Sequence, residues 1–166
     1  IDRFSEDIDL AVDRSLFGLE GDLTVRQLKK LRKASSLFVS NEFCIELNNA
    51  VERYGLREFL DIEAQPNGEG DKTYPEPRQI FIKYKSLFDA ELSYVKPQII
   101  LEIGARSLFE PTEKAVIESM ITQAFPTMQT SVMKAEITTA VAAKTFLEKA
   151  FLLHELFTTN ACYKAE

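Results

Sequence analysis

The sequence has little of what builds a disulfide scaffold or a zinc centre. Its 166 residues include one histidine and two cysteines, and Cys44 and Cys162 lie far apart without a paired spacing. No apolar run approaches the roughly 20 residues that cross a bilayer, and the first residues are not a basic stretch followed by an apolar one. These absences argue against a structural cysteine or histidine site and predict a soluble, cytoplasmic protein.

A shortage of positive charge limits the choice of partners. The net charge is −6, whereas affinity for nucleic acid comes mainly from basic surface that displaces counterions. An RNA partner would therefore need a local basic patch. With 45% hydrophobic residues, the chain is long enough to bury one sizeable core. We expect a single domain over residues 1–166, with or without a helical appendage.

Hydrophobic periodicity predicts a mixture of strands and helices. Period-2 alternation predicts strands over residues 5–12, 79–85, 98–103 and 131–137. Near-helical spacing predicts helices over residues 25–38, 43–54, 111–124 and 139–157, the first of them opened by a capping box from Thr24 to Gln27. Residues 65–77 are rich in proline and glycine and predict an exposed loop. This order favours an α/β or α+β fold with a mixed sheet covered by helices.

Three carboxylates form the candidate site. Asp7 and Asp9 stand two positions apart on a predicted strand, so their side chains share one face, with alpha carbons about 6.6 Å apart. Glu102 interrupts an apolar strand on the face opposite its isoleucine row. Carboxylate oxygens suit Mg²⁺ or Mn²⁺, and three carboxylates suit the two-metal sites of phosphoryl transfer. Ser5, just before the pair, offers a hydroxyl and backbone donors to a phosphate.

These acidic residues also have a structural interpretation. An Asp-x-Asp pair on an exposed strand is usually solvated surface charge, whereas a carboxylate within an apolar strand needs a partner. An EF-hand is excluded, because Asp7, Asp9 and Asp13 lack the further ligand spacing, central glycine and closing glutamate of that loop. Spacing alone leaves both metal binding and surface charge open for the aspartate pair.

Three segments, in order along the chain, carry a resemblance to one family: residues 3–10 (RFSEDIDL), 100–106 (ILEIGAR) and 144–154 (KTFLEKAFLLH). They resemble the AbiEii/AbiGii nucleotidyltransferase toxins of type IV toxin–antitoxin and phage abortive-infection systems. The first segment looks like the metal-binding signature of that family. The family is similar to DNA polymerase β in fold, and members transfer nucleotides, some onto tRNA acceptor ends. The resemblance therefore implies a nucleotidyltransferase-like α+β fold.

The resemblance also implies roles for individual residues. Asp7 and Asp9 would be the metal ligands, Glu102 a third carboxylate, and Lys149 the lysine that contacts nucleotide phosphates. Arg106 would bind triphosphate or tRNA backbone, although a structural ion pair explains it equally well. His154, the single histidine, is interpreted as a packing residue held by a hydrogen bond rather than as a catalytic base. Lys149 also has an alternative, as a lysine that snorkels at a helix boundary.

Two family elements are missing from these 166 residues. One is the glycine-rich element before the aspartate strand, and the other is a later segment whose aspartate completes the active site. We therefore expect a fragment. The first hypothesis is an Mg²⁺-dependent enzyme that transfers a nucleoside monophosphate from NTP to an RNA or protein hydroxyl. The second is a non-catalytic module that uses the same fold to bind RNA or a cognate antitoxin.

Overall fold

The computed structural model describes residues 7–66, 74–86, 96–105, 111–125, 127 and 134–158. The chain divides into two compact units, Ile1–Leu108 and Phe109–Glu166, and each is described by itself. The single domain over residues 1–166 stays a prediction.

The first unit contains a four-stranded mixed sheet. Its strands are β1 (Asp7–Ala11), β2 (Leu60–Ala64), β3 (Arg78–Tyr84) and β4 (Gln98–Gly104). They lie in the order β1-β4-β3-β2, with β1 parallel to β4 and the other two pairs antiparallel. The strands predicted over residues 79–85 and 98–103 are confirmed to within one residue. The strand predicted over residues 5–12 is found as β1, and its first two residues lie outside the described chain.

The helices between β1 and β2 form one uninterrupted helical path. Helix α1 (Val25–Phe38) passes through a π-helical turn (Val39–Phe43) into α2 (Cys44–Arg53). The predicted capping box is confirmed: Thr24 accepts from the backbone N–H of Gln27, whose side chain accepts from the backbone N–H of Thr24. The chain leaves α2 through Gly55, whose φ of +67° is easy for a residue without a Cβ.

One face of this sheet packs on the helices. The main core joins apolar residues of the strands to residues of the π-helical turn and α2, namely Val39, Cys44, Val51, Ile62, Ile80, Leu101 and Ile103. A smaller cluster of Leu19, Leu31 and Ala105 lies where α1 meets the end of β4. Since side chains alternate along a strand, burying Leu101 and Ile103 directs Glu102 to the other face. The core therefore fixes which side of the sheet carries the carboxylates.

The second unit contains a two-stranded antiparallel sheet and two helices. Its elements are β5 (Thr112–Ile117), α3 (Met120–Ala124), β6 (Ala135–Ala140) and α4 (Ala142–Thr158). The helix predicted over residues 111–124 is wrong in its first half, which is strand β5. The β-branched Thr112, Val116 and Ile117 favour a strand, and Ser119 caps a helix of only five residues.

The last two predictions of the second unit are confirmed with shifted boundaries. The strand predicted over residues 131–137 is β6, which begins at Ala135 and runs to Ala140, and residues 131–133 lie outside the described chain. The final helix begins at Ala142 rather than near Thr139, because Thr139 pairs with β5. Together the two units give the α+β class that the sequence predicted. No described helix is both long and apolar enough to cross a membrane.

Candidate active site

Asp7 and Asp9 lie on β1, which stands at the edge of the sheet and pairs on one side with β4. All five residues of β1 are exposed, including the two aspartates. In the parallel pairing, Asp9 is the direct neighbour of Glu102, and Asp7 is the neighbour of Ile100. Neighbouring strands lie about 4.8 Å apart and direct neighbours project from the same face. The structure therefore places all three carboxylates on one face, within two adjacent strands.

A glutamine on the next strand holds Glu102. Gln79 pairs with Glu102 across β3 and β4, and its side-chain N–H donates to a carboxylate oxygen of Glu102 at 2.7 Å. This bond fixes the orientation of the Glu102 side chain on the carboxylate face. Sequence reasoning did not identify Gln79 as a site residue. The alternation of residues 79–85 puts Gln79 on the polar face, but nothing local shows that Glu102 is its neighbour.

The carboxyl end of β4 forms hydrogen bonds with two other segments. The backbone N–H of Val12 donates to the carbonyl of Gly104 at 2.8 Å, which continues the pairing with β1. The Glu76 carboxylate accepts from the backbone N–H of Ala105, and a Cβ built on Gly104 would stand 3.0 Å from the same oxygen of Glu76. Glu76 lies in the segment predicted to be an exposed loop, but it is half-buried. This contact fixes the backbone just before Arg106.

A third aspartate near β1 has a structural role. Asp13 caps a short 3-10 turn (Arg14–Phe17), and its carboxylate accepts from the backbone N–H of Ser15 at 2.9 Å. That bond, with a smaller contribution from the Ser15 hydroxyl, lowers the pKa of Asp13. The carboxylate of Asp13 is thus used to order the chain that leaves β1.

Two of the remaining predicted site residues lie outside the described residues, and the third belongs to the second unit. Ser5 and Arg106 lie outside the described residues. Lys149 is exposed on α4, in the second unit. His154 is also exposed on α4, so its interpretation as a packing residue is wrong. The apolar stripe predicted for this helix is exposed as well: Phe146 is 71% and Phe157 is 83% exposed.

The donor set on the carboxylate face fits a hard divalent cation. Asp7, Asp9 and Glu102 offer only oxygen ligands, the kind that Mg²⁺ and Mn²⁺ prefer. Within the described ranges, no three side chains of histidine, cysteine, aspartate or glutamate are close enough together to hold a metal ion. A cation shared by all three carboxylates stays a prediction.

A mixed sheet with helices on one face and carboxylates from adjacent strands on the other is the architecture of a nucleotidyltransferase-like α+β protein. The family model described as "Nucleotidyl transferase AbiEii toxin, Type IV TA system" matches residues 1–163. The chain belongs to this family, and it is therefore a nucleotidyltransferase toxin with an NTP substrate and a cognate antitoxin. No match was found among curated proteins or among solved structures.

Proposed function

We propose that this toxin transfers a nucleoside monophosphate from an NTP to an RNA hydroxyl, with a tRNA end as the expected acceptor, in a reaction that needs Mg²⁺ or Mn²⁺. The observation that carries the proposal is the lateral pairing of Asp9 with Glu102, with Asp7 on the same face. NTPs and tRNA are both found in the cytoplasm, so we propose that the reaction takes place in the cytoplasm. A protein hydroxyl is the alternative acceptor.

In this proposal the acceptor oxygen attacks the α-phosphorus of the NTP and pyrophosphate leaves. Asp7, Asp9 and Glu102 would hold the cation, which when bound neutralises phosphate charge and lowers the pKa of the attacking hydroxyl. Gln79 holds Glu102 on the carboxylate face through its 2.7 Å hydrogen bond. Ser5, Arg106 and Lys149 remain the proposed phosphate contacts, because a hydroxyl, a guanidinium and an ammonium all donate to phosphate oxygens.

The experiment is to incubate the protein with each labelled NTP, Mg²⁺ and total RNA, and to compare Asp9→Asn with wild type. The amide keeps the volume of the carboxylate but removes its charge, so we expect at least a roughly 100-fold loss of transfer. Asp22→Asn is the matched control, because Asp22 is an exposed aspartate outside the sheet. It should transfer at the wild-type rate.

Thermal melts separate the metal from the fold. Wild type and Asp22→Asn should gain stability from Mg²⁺ by mass action, and Asp9→Asn should gain much less. Without metal, Asp9→Asn should melt at or above the wild-type temperature, because one of two close like charges is gone. Wild-type transfer and an unchanged Mg²⁺ shift in Asp9→Asn would contradict the proposal. RNA binding without transfer by wild type would favour the non-catalytic binding module instead.

A further inference from the structure

Helix α1 concentrates positive charge on an acidic protein. The chain has a net charge of −6, but the 14 residues of α1 contain five basic residues and no acidic one, namely Arg26, Lys29, Lys30, Arg32 and Lys33. All five side chains belong to exposed residues. We propose that α1 is the surface on which the RNA substrate docks, by contacts to its phosphates. The inference rests on the proposed RNA acceptor.

Four of these cations form one continuous face, which we name the basic stripe: Arg26, Lys29, Lys30 and Lys33. Their spacing of three, four and seven residues places them on the same side of a helix, over about 10 Å of its length. The opposite side of α1 is buried, with Leu31 1% and Ser35 0% exposed. Because α1 packs against the rest of the first unit through its buried side, the basic stripe faces solvent.

The basic stripe destabilises the helix that carries it. Like charges three or four residues apart repel each other, and the stripe contains several such pairs. Arg26 also stands in the first turn, where the helix dipole favours acidic residues, and that turn contains none. No ion pair offsets the four cations anywhere in the described chain. A polyanion bound along the stripe would remove this repulsion.

Tyr74 lies between one end of the basic stripe and the segment that contacts the end of β4. Lys33 lies over the Tyr74 ring, 5.4 Å from its centroid, and Arg32 donates to the Tyr74 carbonyl. Two residues later, Glu76 accepts from the backbone N–H of Ala105 at the end of β4. The Lys33 end of the stripe is therefore within a short stretch of chain of the strand that carries Glu102.

An RNA substrate needs a basic surface such as the stripe, because the carboxylate face by itself would repel the RNA phosphates. That face of the sheet carries Asp7, Asp9 and Glu102, and on the same side Lys83 forms an ion pair with Glu63. A small NTP needs few contacts, whereas a long phosphate backbone needs a basic surface that displaces counterions. Exposed lysines act as point charges on phosphates and require no particular base sequence. The basic stripe is thus expected to bind RNA without strong sequence preference.

The test is fluorescence anisotropy of the whole protein with a labelled 20-nucleotide single-stranded RNA, without NTP or metal, across a salt series. The variant Arg26→Gln/Lys29→Gln/Lys30→Gln removes three stripe cations that have no partner in the described structure. We expect roughly 100-fold weaker binding at 0.1 M salt and a log–log salt slope smaller by about 2. The melting temperature should not fall, because like-charge repulsion is reduced. A control with the same charge change, Arg53→Gln/Lys85→Gln/Lys96→Gln, removes exposed cations outside α1 and should bind within about threefold of wild type.

Equal loss of RNA affinity in both variants, or no loss in either, overturns the proposal that α1 is the docking surface. Binding of a polyglutamate peptide as tightly as RNA would overturn it too, in favour of an acidic protein partner. Transfer to RNA, measured in parallel, keeps this result separate from the proposed function. If wild type transfers to RNA while the stripe variant binds RNA normally, only the docking surface fails. If wild type does not transfer to RNA, the proposed function fails, and the anisotropy series still decides whether α1 binds RNA.

Discussion

At the scale of single residues, the hydrogen bond between Gln79 and Glu102 is the most direct test of how the carboxylate face is arranged. Gln79→Leu keeps a side chain of similar size on β3 but removes the donor at 2.7 Å from Glu102. Loss of a partner that orients a metal ligand typically costs 10- to 100-fold in metal affinity or activity. Because Gln79 would orient Glu102 on the carboxylate face, we expect transfer to fall by roughly 10-fold and to need more Mg²⁺ for half-saturation, with little change in melting temperature.

The control for this prediction is Gln98→Leu. Gln98 lies on β4, four residues before Glu102 and on the same face, but its side chain makes no hydrogen bond within the described chain. It should transfer like wild type. If Gln79→Leu and Gln98→Leu behaved alike, the contact with Glu102 would have no part in catalysis.

Sequence reasoning recovered the residues whose position depends on local alternation. Asp7 and Asp9 share a face because they are two apart, and Glu102 opposes Leu101 and Ile103 for the same reason. The partnership of Gln79 with Glu102 depends on which strands are neighbours and in what register. Strand order and register are set by packing across the whole sheet. The alternation of apolar and polar residues within one segment does not reveal them.

At the scale of elements, the junction between the Glu76 segment and the end of β4 predicts a coupled pair of substitutions. A Cβ on Gly104 would lie 3.0 Å from the Glu76 oxygen that accepts from Ala105, so Gly104→Ala must displace that carboxylate. We expect a loss of about 1–2 kcal/mol in the free energy of unfolding, the usual cost of a broken, partly buried hydrogen bond. Urea denaturation measures it.

A double-mutant cycle shows whether the contact is the cause. In a Glu76→Ala background, Gly104→Ala should cost clearly less than in wild type, because the oxygen that it displaces is gone. Gly18→Ala serves as a contrast: no atom lies near the added methyl group, and the strain comes from the φ of +67° alone. Its cost should be the same in both backgrounds. Additive costs for Gly104→Ala and Glu76→Ala would rule out the proposed contact.

The elements themselves show where sequence patterns succeed. The capping box at Thr24 and the alternation of β3 and β4 are local signals, and the structure follows them. Residues 112–117 contain apolar side chains that fit both a helical and a strand period. Pairing with β6 decided between them, and that partner lies about 20 residues further along the chain. The short segment alone therefore could not settle its own structure.

At the scale of the whole molecule, both hydrophobic clusters lie in the first unit. Every buried apolar residue in the described chain falls between Leu19 and Ala105, and no residue of α4 is buried. We therefore expect residues 1–108 to fold without the second unit. Cys44 gives the measurement, because burial in the main core raises the pKa of its thiol and the thiolate is the reactive form.

In the 1–108 protein, Cys44 is the sole cysteine. At pH 8 it should react with iodoacetamide at least roughly 100-fold more slowly in buffer than in 8 M urea, because local opening must precede reaction. The comparison is the 1–166 chain with Cys162→Ser, which should protect Cys44 to a similar degree. Rapid alkylation in the 1–108 protein alone would mean that the second unit is needed to complete the fold.

The parallel pairing of β1 with β4 also sets the order in which the protein is assembled during translation. Asp9 and Glu102 are neighbours in space but about 90 residues apart in the chain, and no antiparallel hairpin links their strands. At roughly 5 to 20 residues per second, the ribosome makes β4 some 5 to 20 seconds after β1. Until then β1 has no strand to join, and long-range pairing of this kind forms slowly. The nascent chain therefore carries its two aspartates for seconds before the strand that holds Glu102 has been made, and the carboxylate face can form only after that.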